Sequence, residues 1–162
     1  TVYLADEGRL RLEADGAIRY LSADGKDLGG AESEEDRIEL SRSLLARFAD
    51  VCGGAGDLQY AASHAEENHV TYRFDYRVSG IRGKLTGGSA GWAVFRDGRL
   101  IELGFRPRTY QITEEMVHRI PPLQAAAASG SIQRGSAPEL IISDPGGDVL
   151  LEPVWIMQEG RT

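Results

Sequence analysis

Trp92-Ala-Val-Phe-Arg-Asp-Gly-Arg-Leu-Ile-Glu-Leu-Gly-Phe105 reads as two strands folded about Asp97-Gly98. An Asp-Gly pair accepts the positive φ angles of a tight hairpin turn, and the apolar runs on either side can then pair only antiparallel. The same logic works outward in both directions. Upstream, Leu58–Ser63 and His69–Ser79 flank the polar turn Ala65–Asn68, with Val70, Tyr72, Phe74 and Tyr76 on one face at period two. Near the start, Arg9–Leu12 and Ala17–Leu21 flank Asp15-Gly16. Downstream, Glu139–Ser143 and Asp148–Gln158 are joined by Asp144-Pro145-Gly146-Gly147.

Helices interrupt these hairpins. Ser33 and Asp36 stand as a cap and its acidic partner before an amphipathic run in which Ile38, Ser41, Leu45, Phe48 and Cys52 share a stripe, flanked by Leu44 and Val51. Gly53-Gly54 ends that helix. Thr113 caps a short helix over Glu114–Ile120, Pro121-Pro122 breaks it, and Leu123–Ser129 adds a further turn or two. Gly80 to Gly91 reads as a glycine-rich connection. The fold class is α+β: a mostly antiparallel sheet built from hairpins, with one long and one or two short helices. Residues 1–162 form a single domain, or two small α+β units meeting near residues 80–90.

The chain has 162 residues and a net charge of −7, which speaks against general binding to a phosphate backbone. Its charge is unevenly spread. Arg73 to Arg108 holds Arg73, Arg77, Arg82, Lys84, Arg96, Arg99, Arg106 and Arg108 against Asp75, Asp97 and Glu102, a balance of +5 that leaves −12 for the remainder. Such a stretch is either the solvated face of strands or an acceptor surface for an acidic partner. No apolar run is long enough for a membrane span, and one cysteine supports neither a disulfide nor a cysteine-rich zinc site. The start at Thr1, with no methionine and no signal-like segment, reads as an excised or processed piece.

Several short patterns touch on chemistry. Gly87-Gly-Ser-Ala-Gly91 fits G-x-S-x-G, but a nucleophile elbow needs a helix after Ser89, and Trp92–Phe95 reads as strand; His118 is the base such an enzyme would use. His64-Ala-Glu-Glu-Asn-His69 has zinc-ligand residue types without H-E-x-x-H spacing and reads as a polar turn. Gly53-Gly-Ala-Gly56 follows a helix, so no helix N-terminus aligns with it to cradle phosphate. Cys52 belongs to an apolar stripe, and Trp92 and Trp155 are expected in the core. No catalytic residues, metal ligands or cofactor site assemble, and a non-catalytic binding or regulatory module is expected.

Read in order, Tyr72-Arg-Phe-Asp-Tyr-Arg-Val-Ser-Gly80, then Gly91-Trp-Ala-Val-Phe-Arg-Asp-Gly-Arg-Leu-Ile-Glu-Leu103, then Leu151-Glu-Pro-Val-Trp-Ile-Met157, the second part of the chain resembles the YycH/YycI-type regulatory proteins of Gram-positive bacteria. The resemblance covers Leu58 to Gln158. It implies an extracytoplasmic domain, held at the outer face of the plasma membrane by a helix outside this chain. Its partner would be a sensor histidine kinase of the WalK (YycG) type, with a paralogous regulator alongside. It supplies no catalytic residues. On this reading Arg106, Arg108 and Tyr110 form the partner-contact face, and no nucleic acid or cofactor is expected. The alternatives are a PepSY-like or inhibitor-like secreted domain that docks on a protease or wall component, and a serine hydrolase using Ser89.

Overall fold

The computed structural model describes residues 1–6, 8–24, 28–52, 57–111, 113, 120–128 and 137–158. Ten strands and two helices follow in the order β1 (Val2–Ala5), β2 (Gly8–Leu12), β3 (Ile18–Ser22), α1 (Glu34–Val51), β4 (Asp57–Glu66), β5 (His69–Val78), β6 (Ile81–Leu85), β7 (Gly91–Arg96), β8 (Arg99–Phe105), α2 (Pro122–Ala128), β9 (Ala137–Asp144) and β10 (Pro153–Gln158). The strands join in one sheet, ordered β1-β2-β3-β8-β7-β5-β6-β9-β10, with β4 on the other edge of β5. This is the expected α+β architecture.

The four hairpins form in register: β2 with β3, β4 with β5, β7 with β8, and β9 with β10. Strand β5 organises the rest. One of its edges carries β4, while the other is divided between β7, which pairs residues 70–74, and β6, which pairs residues 76–78. The Gly80–Gly91 connection is therefore half strand. Ser79 and Gly80 take φ angles of 49° and 81°, the pair of positive values a two-residue turn needs, and the chain returns along β5 as β6. Strand β6 then pairs in parallel with β9, which a tight turn cannot achieve but a long excursion through β7, β8 and α2 can. Strand β1, absent from the sequence reading, extends the other end by pairing with β2. Strand β10 starts at Pro153, later than the run from Asp148 suggests.

Helix α1 starts where its cap residues stand. The Ser33 hydroxyl accepts from the Asp36 amide at 3.1 Å and donates to the Asp36 carboxylate at 2.7 Å. Its buried stripe is Ser41, Leu45 and Ala49, with Ile38, Leu44, Phe48 and Cys52 partly buried beside it. Val51, read as a flank of that stripe, is 84% exposed; six residues past Leu45 it has turned about 240° and points away. Gly53-Gly54 lies outside the described residues. The helix packs against β4, β5, β7 and β8, while α2 packs on β9. Close approach to β7 depends on Gly91, where a Cβ would stand 2.9 Å from a Leu45 methyl.

Between α1 and the sheet lies an aromatic core of Tyr72, Phe74, Tyr76, Phe95 and Phe105, all at most 2% exposed. Tyr72 meets Phe95 edge-on at 5.6 Å, and Tyr76 meets Phe105 at 6.2 Å. Residues directly opposite on paired strands share a face, so the registers also define the side turned away from α1.

Candidate functional site

One row across that far side holds the site. Arg11 pairs with Arg19, Arg19 with Gly104, Gly104 with Trp92, and Trp92 with Arg73, through β2, β3, β8, β7 and β5 in turn. Four inter-strand steps of about 4.8 Å give the row a span of about 19 Å. Trp92 is not in the core; it is half-buried on this open face. The inward positions of β7 are Gly91, Ala93 and Phe95, and at Gly91 a Leu45 methyl leaves no room even for a Cβ. Its ring lies flat over Gly104, filling the space that a Cβ there would take, at 2.0 Å from two ring atoms.

Charged groups lock the ring in place. Trp92 Nε1 donates to Glu102 Oε1 at 2.6 Å, and the same oxygen accepts from Arg19 Nε at 3.0 Å and Nη2 at 2.7 Å. The guanidinium carbons of Arg106 and Arg19 lie 4.9 and 6.0 Å from the ring centroid. Arg106 also donates to the Ser89 carbonyl at 3.0 Å and pairs with Asp15 at 3.2 Å. Arg11 pairs with Glu13 at 3.1 Å, and Arg19 reaches the same carboxylate at 3.6 Å. Asp15 itself accepts from the Ala17 amide at 3.0 Å. That amide, with the Arg106 guanidinium adding to it, holds the Asp15 carboxyl below its usual range. Arg11, Glu13, Asp15, Arg19, Trp92 and Arg106 line an open depression of about 520 Å³.

The three expected partner-contact residues separate. Arg106 belongs to the Trp92 site. Arg108 and Tyr110 turn to a second cluster around Asp144, which is 3% exposed. Tyr110 donates to Asp144 Oδ2 at 2.9 Å, and the Gly146 amide donates to Oδ1 at 2.6 Å. Arg108 Nε stands 3.5 Å from Oδ2, an ion-pair distance at which this buried nitrogen makes no hydrogen bond. Tyr76 donates to the Arg106 carbonyl at 2.5 Å and meets the Tyr110 ring at 5.4 Å.

Burial raises the hydroxyl pKa of both tyrosines, and the Asp144 carboxylate raises that of Tyr110 further. A group whose folded pKa lies above its unfolded value of about 10 contributes stability that is intact below that pH and lost above it. Each tyrosine is therefore expected to cost about 1.4 kcal/mol of stability per pH unit above 10. Urea unfolding at rising alkaline pH, read beside phenolate absorbance, checks this: Tyr76 and Tyr110 ionise with unfolding, not before it. Full tyrosine ionisation in a chain that stays folded would contradict it.

The remaining candidates do not assemble. Ser89 lies between β6 and β7 and is followed by strand, so G-x-S-x-G lacks the helix an elbow requires; His118 lies outside the described residues, as do Glu114–Arg119 and Gly53–Gly56. Glu66 stands 3.9 Å from His64 and 3.4 Å from His69 in the β4–β5 hairpin. Among the described residues no group of three or more His, Cys, Asp or Glu is placed to hold a metal ion. Burial pushes the Cys52 thiol up, away from nucleophilic character. Trp155 is half-buried at the β10 end, donating to the Ile120 carbonyl at 3.2 Å. No described helix is long and apolar enough to cross a membrane. Comparison with protein-family models, with curated proteins and with solved structures returns no match, so the reading of this surface rests on its own chemistry.

Proposed function

We propose that the chain is a non-catalytic regulatory domain that acts by binding a partner protein, and that it binds through the open face of its sheet. One observation carries this reading. The chain is acidic as a whole, yet Arg73, Arg77, Arg82, Lys84, Arg96 and Arg99 all fall on the side of the sheet away from α1, beside Arg11 and Arg19. Acids on that face are engaged by its own arginines: Glu102 by Arg19, Asp75 by Arg82 at 2.6 Å, and Glu139 by Arg82 at 3.8 Å. Arg73 and Arg96 are exposed and make no ion pair among the described residues. A flat cationic face on an anionic protein steers an acidic partner to one side and repels it from the other.

In the form the resemblance implies, that partner is a membrane sensor histidine kinase of a cell-wall two-component system, met outside the plasma membrane, with a paralogous regulator alongside. Arg73→Glu combined with Arg96→Glu is expected to weaken binding to the kinase ectodomain at least tenfold and to flatten its salt dependence, in line with roughly 1.4 kcal/mol or more from removed and reversed charge. Calorimetric titration at two ionic strengths measures both. Binding unchanged by the reversal overturns the assignment of the surface. A kinase ectodomain that binds neither form overturns the kinase version.

A further inference from the structure

The open face contains its own acidic occupant. Arg11, Arg19 and Arg106 converge on the depression over Trp92, and the carboxylates they meet there, Glu13 and Asp15, come from the β2–β3 turn. The arginines are held by other groups. Arg19 is anchored by Glu102, whose side chain is only 14% exposed, and Arg106 is supported by the indole below it and the Ser89 carbonyl. Each turn acid is held through a pair with one exposed member: the Asp15 side chain is 54% exposed against 19% for Arg106, and Glu13, 24% exposed, reaches Arg11, itself 55% exposed. Pairs open to solvent on one side stay near the surface range of about 0–1 kcal/mol, and because a partner's carboxylate replaces like with like, the exchange costs little. The guanidiniums already have the orientation that carboxylate recognition requires.

We propose that the depression over Trp92 is a carboxylate-recognition site for an acidic segment of the partner protein, and that the β2–β3 turn is its built-in competitor. Glu13 and Asp15 stand where the partner's carboxylates go. Their spacing in Glu13-Ala14-Asp15 sets the motif: two acidic residues separated by one position, one carboxylate reaching Arg11 and Arg19 and the other reaching Arg106. Phosphate is the less suitable anion, because the groups this cleft has been shaped around are two separate single charges. The inference rests on the reading of the open face as a docking surface, and it adds the chemistry of what docks.

The test uses the whole chain and a fluorescein-labelled peptide with glutamate and aspartate at alternate positions. Glu13→Gln with Asp15→Asn removes the competing charges, while the asparagine keeps an oxygen for the Ala17 amide. Peptide affinity is expected to rise roughly tenfold, the scale of the one or two surface pairs removed. Arg11→Gln with Arg106→Gln should abolish the gain. Glu35→Gln with Asp50→Asn makes the same charge change on α1 and should leave affinity unchanged. Equal tightening by the α1 pair, or no tightening by the turn pair, overturns the proposal, as does an equal gain for inorganic polyphosphate. These results are separable from the broader reading, which falls only if Arg73→Glu with Arg96→Glu leaves partner binding unaltered.

Discussion

Gly104→Ala is expected to lower the melting temperature by about 6–12 °C, although it adds a single methyl group to an exposed face of the sheet. That methyl would occupy the place of the Trp92 ring, 2.0 Å from Cε2 and Cζ2, and a β8 backbone paired on both sides by β3 and β7 cannot retreat. The indole must swing out. It then gives up its 2.6 Å hydrogen bond to Glu102, about 1.5–3 kcal/mol for a charged acceptor. The Arg106 stack goes with it, worth about 0.5–1 kcal/mol. A loss of about 3 kcal/mol at this chain length corresponds to the stated shift. Trp92→Ala removes the obstacle, so Gly104→Ala added to Trp92→Ala should cost almost nothing further, and the non-additivity isolates the contact. Additive losses, or a silent Gly104→Ala, would mean that the ring does not rest on Gly104. Because Arg106 is held partly by the indole, the same substitution should also weaken binding of an acidic peptide.

Hairpins were the legible part of this fold because their signals are local. Asp15-Gly16 and Asp97-Gly98 each turn the chain where an Asp-Gly pair should, and Ser33 caps α1 three residues before its acidic partner. Strand β6 stayed hidden because its glycines resemble a linker; Ile81, Gly83 and Leu85 nonetheless alternate inward, with Gly83 tucked against Tyr76. The cationic stretch was visible as composition, but not the face it occupies. Face follows from parity, and parity changes at the extra residues Ala61 in β4 and Ile101 in β8, which no local pattern announces. Trp92 reads as core from its size alone, whereas its face is set by the register of β7 against β5 and β8. The site also joins residues far apart in sequence, Arg19 with Glu102 and Arg106 with Asp15, separated by 83 and 91 positions. Such pairs become visible only once the strand order is known.

Asp144 anchors the far end of the sheet, and Asp144→Ala is expected to cost about 3–5 kcal/mol, the range for removing one partner of a buried ion pair. Strands β9 and β10 join the rest of the sheet through four parallel residue pairs with β6, the last being Leu85 with Asp144. The carboxylate adds three ties there: Tyr110, which reaches it from the segment after β8; Arg108, whose buried Nε has no hydrogen-bond acceptor of its own; and the Gly146 amide that shapes the β9–β10 turn. Alanine leaves a guanidinium, a phenol and an amide without the anion they surround. Asparagine keeps one carbonyl oxygen to accept from the Gly146 amide, and its NH2, standing in place of Oδ2, can donate to the Tyr110 hydroxyl oxygen, so Asp144→Asn loses the charge facing Arg108 but should cost less than Asp144→Ala. The damage should also be local. Hydrogen exchange is expected to show β9 and β10 losing protection first in Asp144→Ala, while β5, β7 and β8, closed over the aromatic core by α1, keep theirs. Protection lost equally in β5 and β9 would mean that the terminal hairpin unfolds only with the whole sheet, and that Asp144 stabilises the global fold instead of fastening one arm to it.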